Sequence, residues 1–212
     1  MAEIQEQLKK GLAELRKLPE ATRKFDQSVD LLVNLQKFDA KKTPLNLFIS
    51  VPHKIKDKRI GAFLDIKRKD IDTITLEEFK AYSAKSQIKS LVNKYDFFVA
   101  QASLMPKVAA TFGRALGPSG KMPSPQLGIM MNVDDRALKE LIEKINHSVK
   151  IKAKEPSIKV AIGKQSMKDE DIIENIMVVY NALLKSLTKE KDNIKNIEVK
   201  FSMTKPIKVN VR

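Results

Sequence analysis

The sequence has no cysteine, no tryptophan and only two histidines among its 212 residues. Without cysteine the chain cannot form disulfides, thiolate metal sites or cysteine nucleophiles. A Ser–His–Asp triad would have to use His53 or His147, and a zinc site would need both histidines together with carboxylates. These absences argue against the commonest hydrolase and metal-site chemistries, and we expect neither a cofactor nor a catalytic role.

Long hydrophobic runs are also missing. No apolar segment approaches the roughly 18–20 residues that span a bilayer. The N-terminal segment MAEIQEQLKKGLAELRK is charged throughout, unlike a secretory signal. We therefore expect a soluble protein of the cytoplasm with no membrane partner.

Charge of one sign dominates. Lysine and arginine number 40 against 26 acidic residues, which gives a formal net charge of +14. Residues 1–58 and 59–149 each carry a net +4, and residues 150–212 carry +6. A folded, strongly basic protein commonly binds a polyanion, because displaced counterions favour the complex. The alternative is a lysine-rich solvated surface of the kind found in heat-stable proteins.

Hydrophobic periodicity distinguishes the two ends of the chain from its middle. Alternating apolar residues predict strands, and apolar residues three or four positions apart predict helices. Each end supplies several strands but only one helix, so the two ends together are predicted to form one small α+β domain. The predicted elements are a helix at 3–17, strands at 28–35 and 45–51 separated by a turn at Thr43-Pro44, a strand at 157–163, a helix at 169–188, and strands at 197–202 and 206–211.

In the middle of the chain strands and helices alternate, which indicates a βα-wound, mostly parallel sheet. A capping box of Thr75 and Glu78 begins one helix, and Asp134 or Asp135 caps another. The predicted elements are a strand within 61–66, a helix at 76–92, a strand at 94–100, a helix at 103–114, a Gly/Pro-rich loop at 113–123, a strand at 128–133 and the helix capped by the aspartates.

We predict an α/β protein in which residues 59–153 are inserted between the halves of a discontinuous domain, 1–58 and 154–212. Two consecutive domains remain the alternative arrangement.

The loop GRALGPSGKMP at 113–123 invites comparison with a phosphate-binding loop. Ala115 stands where that motif needs glycine, and Met122 replaces the hydroxyl residue that would hold magnesium. A dinucleotide-binding GxGxxG motif is absent as well. Two interpretations stay open: a shaped connection between helix and strand, or a backbone surface that approaches RNA phosphates with Lys121 adding charge.

Several segments together resemble the ribosomal protein L1 family, the stalk protein of the large ribosomal subunit. LMPKVAATFGRALGPSGKMPSP at 104–125 matches the family signature, and YDFFVA at 95–100 matches the strand before it. KFDQSVDLLVNL at 24–35 resembles the family's first strand, and SIKVAIGKQSM at 157–167 with ENI at 174–176 resembles the strand and helix after the insertion. The resemblance covers nearly the whole chain and favours an archaeal-type member.

The resemblance implies a terminal domain that binds the stalk ribosomal RNA, with a Rossmann-like domain inserted in it. It further implies contact with deacylated transfer RNA leaving the exit site and repression of the protein's own messenger RNA. We expect a ribosomal location and a monomer when free. Two alternatives remain: a nucleotide-using enzyme built on the middle segment, and a free regulator that binds messenger RNA outside the ribosome.

The family's RNA-contacting motifs map onto three segments. The usual Thr-Met-Gly-Pro motif reads Ser202-Met203-Thr204-Lys205 here, so a threonine replaces its glycine. From composition alone Phe25 and Met203 could equally be core residues, and Ser166 with Asp169 could be a helix capping box. The candidate RNA-binding residues are Lys24, Phe25, Ser28, Lys159, Gly163, Lys164, Ser166, Ser202, Met203, Thr204 and Lys205, with Gly117, Gly120 and Lys121 as a secondary contact.

Overall fold

The computed structural model describes residues 2–39, 45–82, 84–131, 134–153 and 155–209. The turn predicted at Thr43-Pro44 and the domain boundary predicted at Lys154 lie outside these residues, as do the ends of the strands predicted at 128–133 and 206–211. Helices and strands alternate through much of the chain, which confirms the mixed α/β class.

The bounds of the elements follow in chain order. The helices are α1 Ala2–Lys17, α2 Leu76–Phe79, α3 Lys85–Lys94, α4 Met105–Ser119, α5 Asp135–Asn146 and α6 Asp169–Ser186. The strands are β1 Ser28–Leu35, β2 Leu45–Ser50, β3 Ile60–Phe63, β4 Asp72–Ile74, β5 Phe97–Gln101, β6 Ile129–Met130, β7 Ser148–Ala153, β8 Ser157–Lys164, β9 Ile194–Phe201 and β10 Ile207–Val209.

The chain divides into two compact units. The terminal unit comprises Met1–Lys56 with His147–Arg212, and the middle unit comprises Asp57–Asn146. This division differs from the predicted boundary at 153, because β7 pairs antiparallel with β2 of the terminal unit. Sequence analysis did not predict β7 as a strand.

In the terminal unit an antiparallel sheet of order β10-β9-β1-β8 packs on α1 and α6. Alternation in β1 buries every second residue, as the sequence predicts. The seven apolar residues predicted to line the inner face of the 169–188 helix are all buried: Ile172, Ile173, Ile176, Val179, Tyr180, Leu183 and Leu187. The core of this unit is almost entirely aliphatic.

The middle unit contains a parallel sheet of order β4-β3-β5-β6, which confirms the predicted wound pattern. Its core is aromatic, with the Phe63 ring 5.4 Å from Phe98 and 5.2 Å from Phe112. The helix predicted at 76–92 is wrong, because two helices, α2 and α3, occupy that segment. Twelve residues of continuous helix would rotate Leu91 about 120° away from Phe79, whereas the break lets both side chains be buried.

The loop predicted at 113–123 is also wrong in most of its length. Helix α4 continues to Ser119 and tolerates Pro118 in its last turn. Burial of Leu116 in the aromatic core stabilises the added turn. The helix ends in a Schellman motif, in which Gly120 adopts a φ of 70° and the Lys121 N–H donates to the Leu116 carbonyl at 3.0 Å.

Candidate nucleic-acid interface

Sheet pairing brings the three sequence motifs to one end of the terminal unit. Ser28 at the start of β1 pairs with Lys164 at the end of β8, and Val29 pairs with Phe201 at the end of β9. The Ser202 N–H donates to the Ser28 carbonyl at 3.1 Å. Residues 23–28, 164–166 and 202–205 therefore form one contiguous surface, which we call the platform.

Two large apolar side chains of the platform are exposed. Phe25 is 52% exposed and Met203 is 54% exposed. The alternative that either residue belongs to the core is therefore wrong. Large apolar side chains left in water beside polar groups commonly mark a binding surface.

Basic residues outnumber acidic residues on the same surface. The platform contains four basic residues, Arg23, Lys24, Lys164 and Lys205, and one acidic residue, Asp26. Arg23, Lys24 and Lys205 are exposed, whereas Lys164 is half-buried and donates from Nζ to the Asp26 carbonyl at 3.3 Å. The net +3 of the platform suits a polyanion.

Asp26 has a structural role inside this basic surface. Its two carboxylate oxygens accept from the N–H and the hydroxyl of Ser166, each at 3.0 Å. The predicted cap of α6 by Ser166 is wrong, since the helix begins at Asp169 with Lys168 as the preceding residue. Ser166 instead ties the turn after β8 to the segment before β1.

The side chain of Thr204 is turned inward. Its hydroxyl oxygen accepts from the Phe201 N–H at 2.9 Å, and its own N–H donates to the Phe201 carbonyl at 3.1 Å. Among the described residues, the only non-glycine residues with positive φ are Lys37 and Glu190. Position 204 therefore does not need the conformational freedom of glycine, and the threonine side chain does not cover the platform.

Two other candidate residues serve packing or lie elsewhere. A Cβ on Gly163 would lie 3.1 Å from Ile172 Cγ1, so this glycine permits close approach of β8 to α6. Lys159 is exposed opposite Leu32 in mid-strand. Five residues of strand place it about 17 Å from Lys164, so the structure does not bring Lys159 to the platform.

The sequence patterns did not reveal the residues whose hydrogen bonds hold the segments of the platform in place. Arg16 donates to Asp169 Oδ1 at 2.9 and 2.6 Å and to the carbonyls of Gln165 and Met167 at 3.0 and 3.1 Å. Gln27 is fully buried and bonds to three segments. The alternation of β1 could have revealed Gln27, because position 27 continues the buried series of Val29 and Leu31.

Electrostatics beside the platform involve Asp30 of β1. Burial raises the pKa of Asp30, and the charge of Lys200, its cross-strand partner in β9, opposes that rise. The fold therefore disfavours the ionised form of this carboxyl.

The secondary contact predicted in the middle unit has other partners. Lys121 Nζ donates to the carbonyls of Val92 and Tyr95 at 2.7 and 2.8 Å, so its charge stabilises the end of α3. Gly117 lies within α4, and Gly120 supplies the left-handed residue that ends it. Lys121 and Gly120 therefore have internal structural roles, whereas a Cβ at Gly117 would meet no atom within 4 Å.

The middle unit also contains a cleft of about 340 Å³ beyond the carboxyl ends of β3 and β5. Ligands of wound α/β sheets commonly bind at this position. Asp65 and Asp134 line the cleft, and Arg68 beside them pairs with Asp135. This arrangement is poorly suited to phosphates, so it does not favour the nucleotide-using alternative.

Within the described ranges, no helix has the length and apolarity needed to cross a membrane. The same residues contain no group of three or more histidine or acidic side chains placed to hold a metal ion.

Comparison with known proteins agrees with the sequence motifs. A model of the Ribosomal protein L1p/L10e family matches residues 15–205. Large ribosomal subunit protein uL1 of Pyrococcus abyssi is 36% identical over 199 residues, which cover 88% of this chain and 88% of the relative. The uL1 proteins of Thermococcus kodakarensis and Pyrobaculum neutrophilum are 36% and 32% identical, covering 88% and 98% of this chain and 89% and 91% of the relatives. The chain therefore belongs to the ribosomal protein L1p/L10e family.

Proposed function

We propose that this chain is a non-enzymatic structural constituent of the large subunit of the cytoplasmic ribosome and binds ribosomal RNA through the platform. The observation that carries the proposal is the exposure of two large apolar side chains, Phe25 and Met203, on a surface with a net charge of +3. Its membership of the family and the name of its relatives support the ribosomal assignment.

The chemistry of the platform suits folded RNA. An exposed aromatic ring can stack on a base, and lysines neutralise phosphates. Proteins recognise RNA helices through shape, phosphate contacts and 2′-hydroxyls, because side chains cannot read the deep major groove. The hydroxyl of Ser202 accepts from the Ser28 N–H at 3.2 Å and donates to the Ser28 carbonyl at 3.4 Å, which leaves one lone pair to accept from a 2′-hydroxyl of RNA.

The finer proposal divides the work between the units. The terminal unit, with 25 basic and 15 acidic residues, binds the stalk ribosomal RNA. The middle unit, with 15 basic and 11 acidic residues, acts as a Rossmann-like domain inserted in it. We further propose that the chain assists release of deacylated transfer RNA from the exit site, represses its own messenger RNA through the same platform, and is monomeric when free.

Crosslinking in cells followed by sequencing of the bound RNA tests this function. The expected result is enrichment of one segment of large-subunit ribosomal RNA, with the crosslinked peptides inside residues 23–28, 164–166 and 202–205. A second peak in the chain's own messenger would support repression. Enrichment of messenger alone would favour the free regulator, and absence of specific RNA would contradict the proposal.

A further inference from the structure

We propose that Gln27 is a positioning residue for RNA recognition, an inference that rests on the proposed function of the platform. The side chain is fully buried, so it cannot touch RNA itself. It acts by fixing the three segments that present the exposed groups.

The contacts of Gln27 reach every part of the platform and the turn beneath it. Its amide nitrogen donates to the carbonyls of Glu20 and Ala21 at 2.8 and 3.4 Å. Its side-chain oxygen accepts from the Met203 N–H at 3.0 Å, and its carbonyl accepts from the Gln165 N–H at 2.8 Å. One residue therefore joins the 3₁₀ turn Pro19–Ala21 to the turns that follow β8 and β9.

These hydrogen bonds hold irregular backbone, which lacks the regular hydrogen bonds between strands of a β-sheet. Met203 is bonded at its own N–H, and Lys164 precedes the bonded Gln165. A further bond, from Gln165 Nε2 to the Ala21 carbonyl at 2.9 Å, closes the connection between two of the segments. Loss of the Gln27 amide would leave the Glu20 carbonyl and the Met203 N–H to find new partners, which moves the turns that carry the exposed side chains.

The opposite end of the same sheet offers a matched control. Asn193 is equally buried, and its amide nitrogen donates to the successive carbonyls of Gln36 and Lys37 at 3.3 Å each. Its side-chain oxygen accepts from the Lys189 N–H at 2.8 Å, and its carbonyl accepts from the Gln36 N–H at 2.8 Å. Asn193 thus repeats the bonding of Gln27 beyond the other end of β1, about 25 Å away along the strand.

The test compares Gln27→Met with Asn193→Leu in the full chain. Each substitution keeps the approximate side-chain volume and removes the amide. We expect both variants to unfold at lower urea concentration, but only Gln27→Met to weaken binding of the stalk ribosomal RNA fragment, by tenfold or more. The salt dependence of binding should stay unchanged in Gln27→Met, because no phosphate contact is removed.

Equal losses of affinity in the two folded variants, or a Gln27→Met affinity within twofold of the wild type, would overturn the proposal. If Gln27→Met does not fold, Asn193→Asp becomes the control for the added acidic group, and the test variant becomes Gln27→Glu, which keeps the acceptor for Met203 and replaces the amide donor to residues 20–21 with a carboxyl group. The affinity of Gln27→Glu should then fall by several-fold, and wild-type affinity would overturn the proposal.

The methyl resonance of Met203 separates this inference from the proposed function. It should shift in Gln27→Met and stay in place in Asn193→Leu, with or without RNA. Failure of the wild-type chain to bind the RNA fragment would contradict the proposed function. The Met203 methyl resonance would then be the remaining test of whether Gln27 positions the turn after β9. An unmoved resonance in Gln27→Met would overturn it.

Discussion

The terminal and middle units place similar residues at the ends of their elements but use them differently. In the terminal unit, Lys24 and Lys205 extend from the platform into solvent, while buried Gln27 bonds the backbone turns. In the middle unit, Lys121 is turned onto the carbonyls of Val92 and Tyr95. A lysine beside glycine and proline is therefore not in itself a binding signal. Cations become available for a ligand when other residues satisfy the local backbone.

The two units also differ in where they place their aromatic side chains. The terminal unit packs aliphatic side chains and leaves the ring of Phe25 outside, whereas the middle unit packs its phenylalanines together around Phe63. Aromatic residues concentrated inside stabilise a core, and one left exposed beside lysines suits recognition of bases.

Truncation of the exposed apolar pair, Phe25 and Met203, should weaken RNA binding more than the other substitutions described below. Phe25→Ala should weaken binding of the stalk RNA fragment about tenfold to hundredfold, since stacking of an aromatic ring on a base contributes about 1–3 kcal/mol. Met203→Ala should also weaken binding, since RNA on the platform would cover this exposed apolar side chain. Their unfolding midpoints should change little, because both side chains are exposed. Ile66→Ala, at an exposed residue of the middle unit, is the control and should bind normally. A comparable loss in Ile66→Ala would refute the assignment of the platform.

Lys121→Met, in the middle unit, should lower stability without affecting RNA binding. The variant leaves two buried carbonyls without their charged donor, which should lower the free energy of unfolding by about 1–3 kcal/mol. RNA affinity should remain that of the wild type. Urea titration and equilibrium binding measure the two effects. Weaker RNA binding without loss of stability would indicate that Lys121 contacts RNA.

Lys164→Ala should have a smaller effect, of one phosphate contact. The slope of log affinity against log salt concentration should fall by about one, and affinity should fall most at low salt. Lys195→Ala makes the same change of charge near the start of β9, at the far end of the sheet, and should leave the slope unchanged. A slope that is the same in both variants would remove Lys164 from the interface.

Asp30→Asn should produce the smallest effect, on stability alone. The pKa of Asp30 is raised above its ordinary value of 3.8, so the folded state favours the protonated form. This contribution to stability is present below pH 3.8 and is lost as the pH rises through the folded pKa. The variant should therefore unfold at a higher temperature than the wild type at pH 7, with the difference closing below about pH 4. A difference independent of pH would contradict the burial argument.

Sequence patterns predicted the elements whose burial repeats regularly. The alternation in β1 and the apolar face of α6 are of this kind, because one face of each meets a continuous core. Glycine and proline at 113–123 indicated a loop, yet burial of Leu116 outweighed these local signals and extended α4. Here glycine and proline determine the end of the helix less strongly than the burial of one large apolar residue does.

The motifs of the candidate site were predictable, whereas of the residues that support them only Gln27 could have been found, from the alternation of β1. The resemblance located residues 24–28, 164–166 and 202–205, but their meeting depends on strand register that no local pattern contains. The roles of Arg16 and Asp26 depend on bonds across more than a hundred residues of chain. Such long-range pairings appear only once the sheet is assembled.

Hydroxyl-radical footprinting of the full chain, with and without the stalk RNA fragment, tests most directly whether RNA lies on the platform. Met203 and Phe25 report on the terminal unit, and Met131, 87% exposed, reports on the middle unit. We expect RNA to lower the oxidation rates of Met203 and Phe25 several-fold and to leave that of Met131 unchanged. Protection confined to the middle unit, with Met203 and Phe25 oxidised as fast as in the free protein, would contradict this expectation.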